Sequence, residues 1–137
     1  MGKKSKGIGA ERELIHLLWG NGWAAHRIAG SGSSKYPSPD IIAGNGARVL
    51  AIECKACKGI YQYFSKEEIN ELEVFSKKFG ADAYVGVKFN NLGWFFMKTL
   101  HLKSSGNNFV MSRNLCKEYG KRVDEVFERR EYEGHNN

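Results

Sequence analysis

The sequence predicts an α/β fold, a mixed β-sheet flanked by α-helices. Three observations carry this. Helix-period and strand-like segments alternate along the chain. One helix is bracketed by start and stop residues. The 137 residues, 42% of them apolar, suit one domain with its own core. The first segment, about Gly9 to Trp19, repeats apolar side chains at Ala10, Leu14, Leu17 and Leu18, and Gly20-Asn21-Gly22 stops it. Trp23 to Ile28 reads as a strand, followed by a polar loop from Gly30 to Pro39. Asp40 to Ala43 and Arg48 to Ala56 read as two strands joined by Gly44-Asn45-Gly46, whose Asn-Gly is a strong hairpin signal.

The second helix is the best-marked element. Ser65 and Glu68 have the spacing of a capping box, in which hydroxyl and carboxylate each accept from the other residue's backbone N–H, and Gly80 sits where a left-handed residue ends the helix. Ala83 to Phe89 and Trp94 to Thr99 read as paired strands, Asn108 to Ser112 as a short edge strand, and Leu115 to about Arg129 as a last helix with Leu115, Tyr119, Val123, Val126 and Phe127 on one face. Residues 1–8 form a basic arm, 9–130 the folded domain and 131–137 a polar, flexible tail.

Composition narrows the function classes. No stretch has the roughly 18 apolar residues of a membrane span, and the basic N-terminus lacks the apolar run of a signal peptide. Three cysteines argue against a disulfide scaffold and for reduced thiols in the cytoplasm. Lys and Arg number 21 against 15 Asp and Glu, a net charge of +6 that favours a polyanionic partner, nucleic acid before lipid. Gly30-Ser31-Gly32 lacks the Gly-Lys-Ser/Thr of a phosphate-binding loop, so no nucleotide cofactor is expected.

The chemistry concentrates in Val49 to Ala56. Side chains alternate across a strand, so Glu53 and Lys55 share one face while Ile52 and Cys54 share the other. Charges at the end of an otherwise apolar strand need partners or a metal. Asp40 lies 13 residues before Glu53, and a hairpin about Asn45-Gly46 brings its carboxylate toward Glu53. Two carboxylates converging with a lysine make a hard-oxygen site suited to Mg²⁺. A metal there supplies water activation and neutralises charge on a phosphate, while a lysine stabilises the anionic transition state or orients the nucleophile. Glu11 lies on or beside the buried stripe of the first helix and is a third carboxylate, although an acid near a first turn also serves a purely structural role through the helix dipole.

Other motifs read more plainly. Cys54-Lys55-Ala56-Cys57 is a lone C-x-x-C, with Cys116 far downstream, so core packing is expected and not zinc. His16, His26, His101 and His135 have no ligand spacing. Tyr61, Tyr63 and Phe64 stand before the helix cap and read as packing, with base stacking as the alternative. Lys3, Lys4 and Lys6 are a solvated tail or a phosphate-contacting arm.

Pro39-Asp40 followed by Glu53-Cys54-Lys55 resembles the PD-(D/E)xK nuclease signature. Gly9-Ala10-Glu11-Arg12-Glu13-Leu14, Arg27 with Ala29-Gly30-Ser31-Gly32, Pro39 to Gly44, Phe75-Ser76-Lys77-Lys78-Phe79-Gly80 and Val87-Lys88-Phe89 together resemble the archaeal Holliday junction resolvases. These blocks span roughly Gly7 to Met97; beyond Thr99 the resemblance is weak, and Cys54 stands where a bulkier apolar residue is usual. The resemblance implies a restriction-endonuclease-like core and a homodimeric endonuclease that cuts four-way DNA junctions symmetrically, using Mg²⁺ or, in its place, Mn²⁺. It implies Glu11, Asp40 and Glu53 as metal ligands, Lys55 and Ser31 as catalytic residues, Arg12, Arg27 and Lys88 as DNA contacts, and Phe75 and Phe79 in the dimer interface. Two alternatives stay open: a nuclease of the same superfamily acting on other DNA structures, and a non-catalytic DNA-binding module.

Overall fold

Helix α1 covers Lys3–Gly20. It begins before Gly9, so most of the stretch read as a basic arm lies inside it; an apolar repeat cannot register Lys3-Lys4-Ser5-Lys6-Gly7. In the computed structural model the described residues are 3–28 and 35–127, with side chains described from residue 9 onward. Strands β1 (Ala24–Arg27), β2 (Ile41–Gly44) and β3 (Val49–Cys57) form an antiparallel run. The β2–β3 hairpin turns at Asn45, whose side-chain oxygen accepts the N–H groups of Ala47 (2.9 Å) and Arg48 (2.7 Å), the local bonding that makes asparagine a turn residue.

Strand β4 (Tyr61–Ser65) leads into helix α2 (Lys66–Phe79). The capping box is formed: Ser65 Oγ accepts the Glu68 N–H at 2.9 Å and Glu68 Oε1 accepts the Ser65 N–H at 2.9 Å. Gly80 closes the helix at φ 82°, a left-handed conformation that glycine adopts without a Cβ clash. Strand β5 (Asp82–Phe89) then returns parallel to β3, and β6 (Gly93–Lys98) pairs antiparallel with β5. The resulting five-stranded sheet has the order β1-β2-β3-β5-β6. A 3₁₀ turn at Thr99–His101 precedes β7 (Lys103–Ser105) and β8 (Asn108–Ser112).

Two sequence expectations are corrected here. Asn108–Ser112 has the expected bounds but is no edge strand: it is the middle of a separate three-stranded sheet, β4-β8-β7. Its partner β4 contains Tyr61, Tyr63 and Phe64, whose aromatic content favours a strand but whose closeness to the helix cap hid it. The last helix is not continuous: α3 (Arg113–Tyr119) and α4 (Val123–Val126) are separated at Gly120 to Arg122. There Lys121 pairs with Phe96 through two backbone hydrogen bonds of 2.7 and 2.8 Å, so the chain leaves the helix to join the edge of β6. A Cβ at Gly120 would lie 2.5 Å from the Cys116 carbonyl oxygen. Gly120→Ala is therefore expected to destabilise the protein by about 1–3 kcal/mol, measured as a lowered denaturant midpoint. Gly59→Ala, whose Cβ meets no atom within 4 Å, is the matched control.

Alternation along β3 divides the interior. Leu50, Ile52 and Cys54 join α1, Trp23, Tyr84, Trp94, Phe96 and Phe127 on one face of the sheet. Ala51 and Cys57 join Phe64, Ile69, Leu72, Val85, Val87, Phe89 and Met111 on the other, under α2 and the small sheet. Glu53 and Lys55 share the second face by the same alternation. No helix among the described residues is long and apolar enough to cross a membrane.

Candidate active site

The hairpin register decides the first contact of the site. Ile41 pairs with Ile52, which places Asp40, just ahead of β2, across from Glu53. Asp40 is held by its backbone and by its side chain: its carbonyl accepts the Ile28 N–H at 2.8 Å, and its Oδ2 accepts the Cys54 N–H at 2.9 Å. The Asp40 carboxylate stands close enough to Glu53 to act on its proton affinity. Burial first, then repulsion from Asp40 and Glu68, pushes the Glu53 carboxyl up to about 9, with Lys55 only partly offsetting them. Burial beside a second carboxylate thus keeps Glu53 protonated at neutral pH.

Lys55 is fixed from the opposite side. Its Nζ lies 3.0 Å from Glu68 Oε2 and 5.6 Å from the centre of the Phe64 ring. Glu68 was read in the sequence only as a cap; its second oxygen at the lysine is a feature that Ser-x-x-Glu spacing does not disclose. Burial raises the Glu68 carboxyl, but hydrogen bonds from the Ser65 N–H and Lys55 outweigh it and leave the group below its ordinary value.

Glu11 approaches from α1, on the other face of the sheet, and is bound by Arg27, whose Nε lies 2.7 Å from Glu11 Oε1. Burial pushes its carboxyl up, opposed by the Arg27 hydrogen bond, and Asp40 is near enough to raise it further. Among the described residues no three His, Cys, Asp or Glu side chains converge as a ready-made metal group. Asp40 thus stands across from Glu53, Lys55 is near enough to act on Glu53 by its charge, and Glu11 stays at the margin, in an ion pair. Burial pushes the Cys54 thiol, beside these acids, well above its ordinary value; Cys54, Cys57 and Cys116 are all free thiols.

The basic residues expected at DNA stand on α1, at the end of β1 and on β5. Arg12 is exposed on α1. Lys88 Nζ lies 2.6 Å from Glu13 Oε2, and Glu13 Oε1 also accepts the Trp94 indole N–H at 2.9 Å. Arg27 and Lys88 each keep part of the side chain in solvent, 41% and 38%. On α2, Phe75 is half-buried and Phe79 is 56% exposed, their rings stacked with centres 5.1 Å apart. Ser31 lies outside the described residues.

A family model described as archaeal Holliday junction resolvase (Hjc) matches residues 2–133. The chain belongs to that family. The match continues far beyond Thr99, where the motifs that carry the resemblance thin out. The chain is 44% identical over 112 residues to the crossover junction endodeoxyribonuclease Hjc of Archaeoglobus fulgidus, covering 82% of each chain. It is 37% identical over 113 residues to the Methanocaldococcus jannaschii Hjc, covering 82% of this chain and 80% of that one. The solved structure of A. fulgidus Hjc, a Holliday junction resolvase from an archaeal hyperthermophile, superposes with a TM-score of 0.82 at 40% identity, over 88% of this chain and 99% of that one. The mixed sheet flanked by helices is therefore the resolvase nuclease fold.

Proposed function

We propose that the protein is a metal-dependent DNA endonuclease that resolves four-way junctions by cutting two strands symmetrically as a homodimer. The observation that carries the reading is the Asp40–Glu53 pair beside Lys55, in a chain of the resolvase family. A pair of adjoining carboxylates that retains a proton fits a hard divalent cation, which replaces the proton and removes the repulsion. Mg²⁺ needs few protein carboxylates, so Asp40 and Glu53 would hold it as the main ligands. Glu11, ion-paired with Arg27 at the margin of the site, would be a third ligand. The cation, Mg²⁺ or Mn²⁺, supplies activation of water and neutralisation of phosphate charge.

The chain's own groups do the rest. Lys55 presents a positive charge to the phosphate as negative charge builds on its oxygens. Arg12, Arg27 and Lys88 contact the DNA backbone and contribute affinity that falls with salt. Ser31, outside the described residues, is proposed as a further catalytic residue on the family resemblance alone. The Phe75–Phe79 stack supports an interface between two copies, since an exposed aromatic face on a helix marks a binding surface.

Cleavage of a synthetic four-way junction, compared with a linear duplex of the same arms, tests the reading in Mg²⁺ and in EDTA. Paired nicks in the junction alone, lost with EDTA, are expected. Equal cutting of the duplex would remove junction specificity, and no cutting with intact binding would leave a binding module. Phe79→Glu is expected to give a monomer by sedimentation and to replace paired nicks by single, uncorrelated ones; an intact dimer would place the interface elsewhere.

A further inference from the structure

We propose that Glu68 is a positioning residue that holds Lys55 in its working place, an inference that rests on the nuclease reading above. A capping box uses one oxygen of its acidic residue, and here that oxygen is Oε1, which accepts the Ser65 N–H at 2.9 Å. The other oxygen of an ordinary cap is left to water. In this molecule it lies 3.0 Å from Lys55 Nζ, with only about a third of each side chain exposed. One carboxylate therefore ties the first turn of α2 to the end of β3.

Lys55 needs such a tie. Its flexible four-carbon stem has many rotamers, and an ammonium that must meet a phosphate gains from being held in one of them. Phe64, fully buried on β4, walls one side with its ring 5.6 Å away. Glu53, near enough to feel the charge of Lys55, is a competing partner once it ionises. The Glu68 carboxylate is itself held by its Oε1, which accepts the Ser65 backbone N–H at 2.9 Å, a bond that does not use the Ser65 side chain. Glu68 therefore gives the lysine a fixed partner and keeps it from collapsing onto the carboxylates that take the metal.

The two duties of Glu68 can be separated. Glutamine has one acceptor oxygen and one donor nitrogen, so Glu68→Gln can keep the Ser65 N–H bond but cannot also accept from Lys55 through its second terminal atom. Ser65→Ala does the reverse: it weakens the cap and leaves the Glu68–Lys55 contact. In the metal-free protein, the Lys55 Nζ resonance of ¹⁵N-lysine-labelled protein, assigned by its loss in Lys55→Arg, is expected to be a slowly exchanging ammonium signal in the wild type and in Ser65→Ala, and to vanish in Glu68→Gln. With metal and junction, Glu68→Gln is expected to lower the cleavage rate of bound junction about 10- to 100-fold, the range seen when an outer partner that orients a functional group is lost. Its junction Kd stays at the wild-type value, while Ser65→Ala lowers thermal stability and keeps the rate. A rate loss in Ser65→Ala equal to that in Glu68→Gln would reduce Glu68 to a cap, and faster cleavage by Glu68→Gln would make the contact a restraint. Absence of junction cutting by the wild type would overturn the nuclease reading and leave the spectroscopic test standing.

Discussion

Glu53→Gln is expected to abolish cleavage, to leave junction affinity within about twofold of the wild type, and to make the metal-free protein more stable. The first effect follows because glutamine cannot supply the carboxylate that the proposed metal site needs. The second follows because affinity for DNA comes mainly from cationic contacts to phosphate, none of which Glu53 makes. The third follows from the carboxyl's raised value. In the unfolded chain Glu53 titrates at the ordinary carboxylate value of 4.5, and in the folded chain at about 9. Between those values the native state binds more protons than the unfolded state, so stability falls as pH rises. The contribution is fully present below the unfolded value and is lost by the time pH passes the folded one. Glutamine does not titrate, so the stability gain of Glu53→Gln over wild type is absent at pH 4, grows through neutrality and levels off above about pH 9. Denaturant unfolding in EDTA across that range measures it. A pH-independent difference, or a loss of stability, would mean that Glu53 is a structural carboxylate and not one held for a metal.

Phe127→Ala is expected to destabilise the fold by about 3–5 kcal/mol, a large share of the roughly 5–15 kcal/mol that keeps a domain folded. Phe127 is fully buried. Its ring meets Phe96 edge-on at 4.8 Å and Trp23 edge-on at 5.9 Å, and Phe96 in turn stacks on Trp94 at 5.7 Å. The Phe127 carbonyl accepts the Trp23 indole N–H at 3.3 Å, across 104 residues of chain. The segment from Lys121 to Phe127 thus closes the core over α1 and β6. A chemical-denaturation midpoint measures the loss, and a change below about 1 kcal/mol would show that this segment packs on the surface of a core complete without it.

The site itself was only partly legible. Pro39-Asp40 and Glu53-x-Lys55 announce themselves because acids and a lysine at the margins of apolar strands need an explanation, and the Asn45-Gly46 turn fixes their approach. The Lys55–Glu68 contact was not legible, because it joins residues whose local roles, strand end and helix cap, are each already satisfied. Nor were the partners of Arg27 and Lys88: Glu11 is 16 residues from Arg27 and Glu13 is 75 from Lys88, and no local spacing relates them.

By itself the sequence determined the parts governed by short-range chemistry. The Ser65–Glu68 cap, the left-handed Gly80, the Asn45-Gly46 hairpin and the period-2 face shared by Glu53 and Lys55 depend on neighbours a few residues apart. Tertiary structure decided what depends on distant surfaces: the pairing of β4 with β8 into a second sheet, the break at Gly120 that lets Lys121 bond to Phe96, and the placement of Glu11 against Arg27 at the margin of the site. A strand edge or a buried ring is satisfied by whichever segment reaches it in three dimensions. The packing of α1 and α2 on opposite faces of one sheet therefore settled which acids flank the centre, Glu11 beside Arg27 and Glu68 beside Lys55.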